Sequence, residues 1–97
     1  MNTFTLSGSD LASRRIAAVD REDFVNRYWG EGSVVIDLSA VQSVSESYAD
    51  EFFGVLVLRF GLAAVLSKVK IANARETVLR AVANSMRRRA STVGVAA

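Results

Sequence analysis

The chain has 97 residues, of which 51% are hydrophobic and 23% are charged, and its formal net charge is +2. This composition excludes an intrinsically disordered chain and predicts a single globular domain over residues 1–97. The chain has no histidine and no cysteine, which excludes histidine-based hydrolytic triads, disulfide frameworks and thiolate zinc sites. Because no signal-like or membrane-length apolar run opens it, we expect a cytoplasmic protein of bacterial type.

The charged residues are distributed unevenly along the chain. Residues 1–54 contain nine acidic and four basic residues, whereas residues 55–97 contain one acidic and eight basic residues. This asymmetry favours a bipolar surface that associates with an oppositely charged partner or with a second copy of the chain. The alternative is that basic helix faces simply contact solvent.

The first part of the chain predicts a strand, a turn and a helix. Alternating apolar residues indicate a short strand at residues 3–6, and small polar residues after it indicate a turn. A helix is predicted from Ser13, whose side chain can cap it, to about Tyr28. Its buried stripe is predicted to contain Ile16, Ala17, Phe24 and Tyr28. Asp20 and Arg27 fall inside this stripe, so they pair, lie at its solvent edge or mark a break.

A buried strand, a serine-rich loop and a second helix follow. The strand is predicted at residues 34–38, where a β-branched run indicates burial on both faces, with Asp37 near its carboxyl end. The loop at residues 39–47 contains four serines in nine residues. Since ligands and partners of open α/β sheets bind outside the carboxyl ends of the strands, this loop is the predicted functional site.

The second helix is predicted to begin between Ser45 and Ser47 and to run to about Phe60. Either serine can cap it, and Ser47 forms a capping-box pattern with Asp50. Asp50 and Glu51 also suit the positive end of the helix dipole. The predicted core face contains Tyr48, Ala49, Phe52, Phe53, Leu56, Phe60 and Ala63. Three further apolar residues fall outside that face and require cover from neighbouring elements, a partner or a second copy: Val55, Val57 and Leu58.

The remaining elements are an edge strand and a last helix. Val69 and Ile71 alternate with lysines, as expected for a strand at a sheet edge. Asn73 is predicted to cap the last helix, with Glu76 at the capping-box position. The apolar stripe of this helix comprises Val78, Leu79, Val82 and Met86. Residues 90–97 are predicted to be a tail or a weak strand, which leaves a core of about residues 3–89. The alternation of strands and helices predicts an α/β fold, with helices packed on a mostly parallel sheet of three or four strands.

Two segments resemble a known family. They are Ile36-Asp37-Leu38-Ser39-Ala40-Val41 and Val44-Ser45-Glu46-Ser47-Tyr48-Ala49-Asp50-Glu51-Phe52-Phe53-Gly54. Together with a weaker match at Ser13-Arg14, they resemble the STAS-like domains, which are small relatives of the anti-sigma factor antagonists. The resemblance spans most of residues 13–88 and implies a small STAS-like sandwich that acts as a regulatory protein-interaction module.

The resemblance also implies a candidate site. In anti-sigma factor antagonists, an Asp-Leu-Ser strand precedes a loop ending in Asp-Ser-Ser-Gly or Asp-Ser-Thr-Gly, whose second hydroxyl is phosphorylated by a partner kinase. By position, Ser45 replaces the aspartate, Glu46 the first serine and Ser47 the phosphorylated residue, while Tyr48 replaces the glycine. The implied partner is an ATP-binding serine kinase or an anti-sigma-type factor, which binds the surface over residues 39–53.

Seven residues are therefore candidates for partner binding or phosphorylation: Asp37, Ser39, Ser45, Ser47, Tyr48, Asp50 and Glu51. We expect Tyr48 to place a large side chain beside the Ser47 hydroxyl, and the two carboxylates at 50 and 51 to oppose a phosphate there. The alternative for Ser47 is a helix cap without any modification.

Three other functions can be weighed against the same sequence. Asp37, Asp50 and Glu51 are candidates for a carboxylate cluster for acid–base or Mg²⁺ chemistry. Because no glycine-rich phosphate loop or nucleophile with a base accompanies them, we predict no enzymatic activity, no cofactor and no metal. Nucleic-acid binding is suggested by the basic residues Lys68, Lys70, Arg75, Arg80, Arg87, Arg88 and Arg89, but no stacking aromatic or helix-turn-helix accompanies them. A structural or adaptor subunit, or a homo-oligomer without phosphorylation, is the remaining alternative, and we expect no membrane partner.

Overall fold

The structure is a computed structural model that describes residues 2–30 and 32–96. Its elements in chain order are β1 (Asn2–Thr5), β2 (Asp10–Leu11), α1 (Arg14–Tyr28), β3 (Val34–Asp37), β4 (Ser43–Val44), α2 (Glu46–Ala49), a π-helical segment (Asp50–Gly54), α3 (Val55–Phe60), α4 (Leu62–Lys68), β5 (Val69–Ala72) and α5 (Glu76–Ala96). No helix within the described residues combines the length and apolarity needed to cross a bilayer.

The main sheet has three parallel strands in the order β1-β3-β5. Phe4, Ile36 and Ile71 lie side by side across it. The central strand β3 buries Val34 and Ile36 and only partly exposes the residues between them, which explains its continuous apolar run. The mostly parallel α/β fold is confirmed, and β5 is an edge strand as its flanking lysines predict.

An aromatic core joins the sheet to the helices. The Phe4 ring of β1 lies 5.3 Å from the Phe24 ring of α1, which lies 5.8 Å from the Phe52 ring of the π-helical segment. Phe24 and Phe52 are fully buried. These contacts place residues 46–54 firmly against both α1 and the sheet, which holds the candidate site in position.

A second, two-stranded parallel sheet pairs β2 with β4, with Asp10 opposite Ser43. The Ser43 hydroxyl donates to Asp10 Oδ1 at 2.7 Å, and the Gln42 N–H donates to the Ser9 carbonyl at 2.7 Å. The sequence predicted only a turn and a loop here. Two-residue strands carry no periodicity that could reveal them, and their stability comes from pairing with each other.

Helix α1 begins after Ser13, whose Oγ accepts the Ile16 N–H at 3.1 Å, so the predicted cap is confirmed. The predicted burial of Ile16 is wrong, since it is 48% exposed. The buried stripe runs through Ala17, Arg21 and Phe24, with Tyr28 partly buried. Asp20 and Arg27 do not pair with each other: Asp20 accepts from Tyr48, and Arg27 pairs with Asp23.

Residues 46–60 form one composite helix of α2, the π-helical segment and α3. The predicted core residues Tyr48, Ala49, Phe52, Phe53 and Leu56 are all buried. Ala63 is exposed. Gly61 adopts φ 90° and ends the helix, so the helical periodicity of residues 46–60 does not continue into α4. Of the three residues outside the core face, Val57 is buried, Val55 is intermediate and Leu58 is 41% exposed.

The last helix differs from its prediction in three respects. Asn73 is not its cap: it adopts φ 60° after β5, and the helix begins at Glu76. Leu79 is 45% exposed, because the buried stripe follows Val78, Val82, Ser85 and Met86. Helix α5 also continues to Ala96, through the segment predicted as a tail or a weak strand. Ala90 packs against the core, which holds part of this last segment in place.

Candidate functional site

Ser45 is the residue that fixes the start of the composite helix. Its Oγ accepts the Tyr48 N–H at 3.0 Å and donates to the Ala12 carbonyl at 2.9 Å, while its own N–H donates to Leu11 O at 2.8 Å. The prediction that a serine at 45 or 47 caps this helix is confirmed for Ser45. Ser45 is therefore a structural residue that joins the loop to β2, and its hydroxyl is fully engaged.

Asp37 and Ser39 lie at the carboxyl end of the central strand. Asp37 Oδ1 accepts the Ser39 N–H at 2.9 Å and the Asn73 amide at 3.2 Å. The Ser39 N–H and then the Asn73 amide lower the pKa of Asp37, because both hydrogen bonds favour the ionised carboxylate. Asp37 thus joins the ends of β3 and β5. Among the described residues, no hydrogen bond or ion pair links it to Asp50 or Glu51.

Ser47 lies in the first turn of α2, with its side chain exposed. It borders an open concavity of about 320 Å³ that is also lined by Arg14, Glu46, Asp50, Arg88 and Arg89. Three arginines from α1 and α5 therefore line the same concavity as the serine that the resemblance implies to be the phosphorylated position. Since the cap is Ser45, the alternative that Ser47 is the helix cap is wrong.

Asp50 is held by arginines from two other helices. Arg89 of α5 binds both carboxylate oxygens, with Nε 2.7 Å from Oδ1 and Nη2 2.6 Å from Oδ2. Arg14 of α1 adds a third hydrogen bond to Oδ2 at 3.2 Å. The parallel pair to Arg89 is the bidentate geometry in which arginine–carboxylate interactions are strongest. Asp50 therefore connects the first helix to the last one.

Glu51, the next residue of the helix, makes a matching set of contacts. Arg21 Nη1 donates to Glu51 Oε2 at 2.6 Å and to the Glu51 carbonyl at 2.7 Å, and Arg14 donates to Oε1 at 3.1 Å. The Arg21 side chain is only 11% exposed. We refer to Arg14, Arg21, Asp50, Glu51 and Arg89 as the arginine–carboxylate cluster.

The π-helical segment and Gly54 create the space that this cluster occupies. A Cβ on Gly54 would lie 2.8 Å from Asp50 Oδ1 and 2.9 Å from Arg89 Cγ, which is too close for unperturbed packing. Gly54 is buried. π-Helical turns are rare and are often found at functional sites, and here the turn contains both carboxylates of the cluster.

The cluster changes the expected electrostatics around Ser47. The ion pair with Arg89, and then Arg14, lowers the pKa of Asp50, while Arg21, and then Arg14, lowers the pKa of Glu51. Both carboxylates are thus ionised, but their charge is matched by arginines at hydrogen-bonding distance. The expectation that they oppose a phosphate on Ser47 did not include these arginine partners: Arg14, Arg88 and Arg89 line the concavity together with Glu46 and Asp50.

Tyr48 does not contribute to the surface. Its ring is fully buried, and its hydroxyl donates to Asp20 Oδ2 at 2.6 Å. Burial, and then this hydrogen bond, raises the pKa of Tyr48. The expectation that Tyr48 stands beside the Ser47 hydroxyl and contacts a partner is therefore wrong: its helical position directs the ring into the core, where it links α1 to α2.

The three carboxylates proposed for acid–base or Mg²⁺ chemistry do not come together. In the part of the chain that the structure describes, no group of three or more acidic residues is arranged to hold a metal ion. Asp37 lies at the strand ends, whereas Asp50 and Glu51 are occupied by arginines.

Sequence reasoning missed the arginines of the cluster, although one of them carried a signal. Arg21 lies between Ala17 and Phe24 on the buried stripe of α1. A charged residue on an apolar stripe requires a buried partner, and Glu51 is that partner. Arg14 and Arg89 carried no comparable signal, because their partners lie 36 to 39 residues away in the chain.

Comparisons with known proteins agree with this architecture. Residues 21–79, more than half of the chain, match the model of the family described as "STAS-like domain of unknown function (DUF4325)". The matched range includes Ser47, Asp50 and Glu51 but neither Arg14 nor Arg89. No curated protein and no solved structure matches the chain. The parallel sheet, the loop into the composite helix and this match together show that the chain belongs to the family of STAS-like domains.

Proposed function

We propose that this protein is a non-catalytic regulatory module that binds a partner protein through the surface over residues 39–53, with Ser47 as its phosphorylation switch. The partner is an ATP-binding serine kinase or an anti-sigma-type factor. The observation that carries the proposal is the exposed Ser47 hydroxyl at the edge of an arginine-lined concavity. The partner type comes from the resemblance to anti-sigma factor antagonists.

The surroundings of Ser47 support the role of a phosphoacceptor. A phosphate carries about −1.5 to −2 charges at pH 7 and three acceptor oxygens. Arg14, Arg88 and Arg89 line the same concavity. Arg14 and Arg89 already donate to Asp50, but a guanidinium has five N–H donors and can bond a phosphate as well. Because Ser45 supplies the helix cap, Ser47 can be modified without loss of the bond that starts the helix.

The exposed residues beside Ser47 support the role of a docking surface. Ser39, Gln42, Ser43 and Glu46 are exposed, whereas the backbone beneath them is held by bonds to Ser9 and Leu11. A surface of small polar side chains on a fixed backbone can be bound with little loss of conformational entropy. A phosphate on Ser47 adds negative charge to this surface, so an acidic or apolar partner surface docked there would be repelled or desolvated at a cost.

Two measurements test this proposal. The first is mass spectrometry of the protein purified from its native cells, which should find phosphate on Ser47 and identify the co-purified partner. The second is calorimetric titration of that partner with variants. Ser47→Asp should reduce affinity about tenfold or more, equivalent to ~1.4 kcal/mol, and leave the thermal midpoint nearly unchanged. Unchanged affinity would remove the switch.

Two further variants separate the switch from the cap. Ser45→Ala removes the helix cap and should cost about 1 kcal/mol of stability. Ser47→Ala should leave both stability and partner affinity near the wild-type values, because its hydroxyl is exposed and does not cap the helix. If Ser47→Ala destabilised the protein as much as Ser45→Ala, the assignment of the two serines would have to be reversed.

The alternative is a structural or adaptor subunit, or a homo-oligomer, without phosphorylation. Exposed leucines support it, since Leu58, Leu66 and Leu79 are 41%, 55% and 45% exposed, and exposed apolar surface often marks an interface. Light scattering of the purified protein distinguishes the two functions. An oligomer with no phosphate on Ser47 in native cells would favour the alternative over the switch.

A further inference from the structure

Helix α5 carries a second feature that the proposed function does not use. An open groove of about 970 Å³ runs along its outer side and reaches Glu46 at the start of α2. The residues that line it are Glu46, Thr77, Arg80, Ala81, Asn84, Arg87, Arg88 and Ser91. Arg80, Arg87 and Arg88 are all exposed. Three arginines therefore face one carboxylate.

The acidic residues of the chain are largely committed elsewhere. Asp23 pairs with Arg27, Glu22 pairs with Arg21 and Arg59, and Asp50 and Glu51 belong to the arginine–carboxylate cluster. Four of the nine acidic residues of the first half are thus held in internal ion pairs, two of which reach Arg59 and Arg89 of the second half. The remaining described carboxylates of that half lie on four different elements, Asp10 on β2, Asp20 on α1, Asp37 on β3 and Glu46 on α2. Within the described residues a second copy therefore offers no continuous acidic segment to this groove, and the complementary charge comes from another molecule.

We infer that this groove binds an extended acidic segment of the partner protein, whose carboxylates pair with Arg80, Arg87 and Arg88. The inference rests on the proposed function insofar as it takes the partner to be a protein. The groove shares Glu46 and Arg88 with the concavity at Ser47, so a single partner can occupy both sites.

The length of the groove fits an extended peptide. From Thr77 to Ser91 an α-helix rises roughly 21 Å, which is the length of about six extended residues. Between the arginines the lining consists of small side chains at 77, 81, 84 and 91, which let a peptide backbone approach the helix. The arginine guanidinium groups then bind the peptide carboxylates at the sides of the groove.

Nucleic acid fits the same groove less well. No aromatic side chain lines it, whereas single-stranded nucleic acids gain much of their affinity by stacking bases on aromatic rings.

The existing contacts of Arg80 and Arg87 do not block such a ligand. Arg80 pairs with Glu76, but both side chains are highly exposed, at 64% and 82%, and exposed pairs of this kind contribute little stability. Arg87 bonds the neutral Asn84 side chain at 2.9 Å. Exchange of either contact for a ligand carboxylate therefore costs little.

The test uses fluorescein-labelled hexaglutamate as the probe, with hexaglutamine as the uncharged control, in anisotropy titrations of the full chain at about 50 mM salt. The double variant Arg80→Ala/Arg87→Ala should weaken hexaglutamate binding about tenfold. The matched control Lys70→Ala/Arg75→Ala removes the same charge from exposed residues outside the groove and should weaken binding less than twofold. Circular dichroism checks that both double variants are folded.

Residue-resolved NMR titration with unlabelled hexaglutamate locates the probe, and the largest shifts should fall at residues 77–91 and at Glu46. Equal losses in the two double variants, shifts spread over all basic residues, or tighter binding of a ten-nucleotide thymidine strand would each overturn the inference. Neither titration requires the natural partner or a modified Ser47. A negative result with hexaglutamate therefore does not contradict the proposed phosphorylation switch at Ser47. Conversely, a negative result for the switch does not change the result with hexaglutamate.

Discussion

Arg21 of the arginine–carboxylate cluster and Arg80 of the α5 groove place the same side chain in opposite settings. In the cluster, Arg21 is 11% exposed and bonds Glu51 at 2.6 Å, and Arg89 binds Asp50 through two parallel hydrogen bonds. In the groove, Arg80 is 64% exposed. An arginine that is desolvated must keep its carboxylate, whereas an exposed one can exchange it. Substitutions in the cluster should therefore change stability, and substitutions in the groove should change binding.

The largest effect is expected at Arg21. Arg21→Met keeps much of the side-chain volume but leaves the Glu51 carboxylate and carbonyl without their closest donor. Breaking a buried ion pair in this way costs about 3 kcal/mol, measured by urea unfolding. The matched control is Arg27→Met on the same helix, where both partners of the Asp23 pair are about half exposed and the loss should stay near ~0.5 kcal/mol. Equal losses in the two variants would contradict the contrast between buried and exposed arginines.

The second-largest loss of stability is expected at Gly54, which leaves space for the Asp50–Arg89 pair. Gly54→Ala improves helix propensity by up to ~1 kcal/mol, but its Cβ would displace Asp50 and Arg89. Overpacking of this kind costs about 1–3 kcal/mol, so we expect a net loss of about 1–2 kcal/mol in denaturant unfolding. Gly30→Ala is the control, because nothing lies within 4 Å of a Cβ at that exposed position. A stabilised Gly54→Ala variant would show that the pair does not depend on this space.

A smaller effect is expected on the pH dependence of stability. Arginines lower the pKa of Asp50 and Glu51 in the folded protein. The corresponding stability is present above the unfolded pKa values, roughly 4, and is lost as pH falls through the lower folded values. The variant Asp50→Asn/Glu51→Gln should lose stability less steeply than the wild type below about pH 4.5. Thermal unfolding as a function of pH measures both slopes, and parallel profiles would contradict the role of the cluster.

The smallest effect on stability is expected for the exposed ion pair between Arg80 and Glu76. Arg80→Ala and Glu76→Ala each break an exposed pair one helical turn apart on α5. Each should change the free energy of unfolding by no more than about 0.5 kcal/mol. A loss comparable to that of Arg21→Met would mean that the groove arginines support the fold and are not available for a ligand.

Much of the fold could be predicted from the sequence because burial leaves local patterns. The apolar run at residues 34–38 indicated the central strand, and Ser13 correctly marked the start of α1. The β2–β4 pair could not be predicted, since two residues are too few to show a period. The π-helical segment was hidden as well, because its buried residues also fit ordinary helical spacing.

The candidate site could be predicted only in part, for a related reason. Ser45 and Ser47 were both recognised as candidates for the helix start, because capping depends on residues three positions apart. The ion pairs of Asp50 and Glu51 depend on which distant arginines the fold brings near, so the sequence showed the charges but not their neutralisation. The burial of Tyr48 follows from the same packing.

The pairing of β2 with β4 has a consequence for the order of events during folding. Each strand pair in the described part of the chain is parallel, and its partners are separated in sequence by a helical crossover. Such pairs form late, since the entropy of closing a long loop must be overcome before any hydrogen bond compensates for it. Pulse-labelled hydrogen exchange at the Ser45 N–H, which bonds Leu11 O, should therefore gain protection in the slowest phase. The proposed recognition of Ser47 in this geometry therefore requires a chain that has completed its folding.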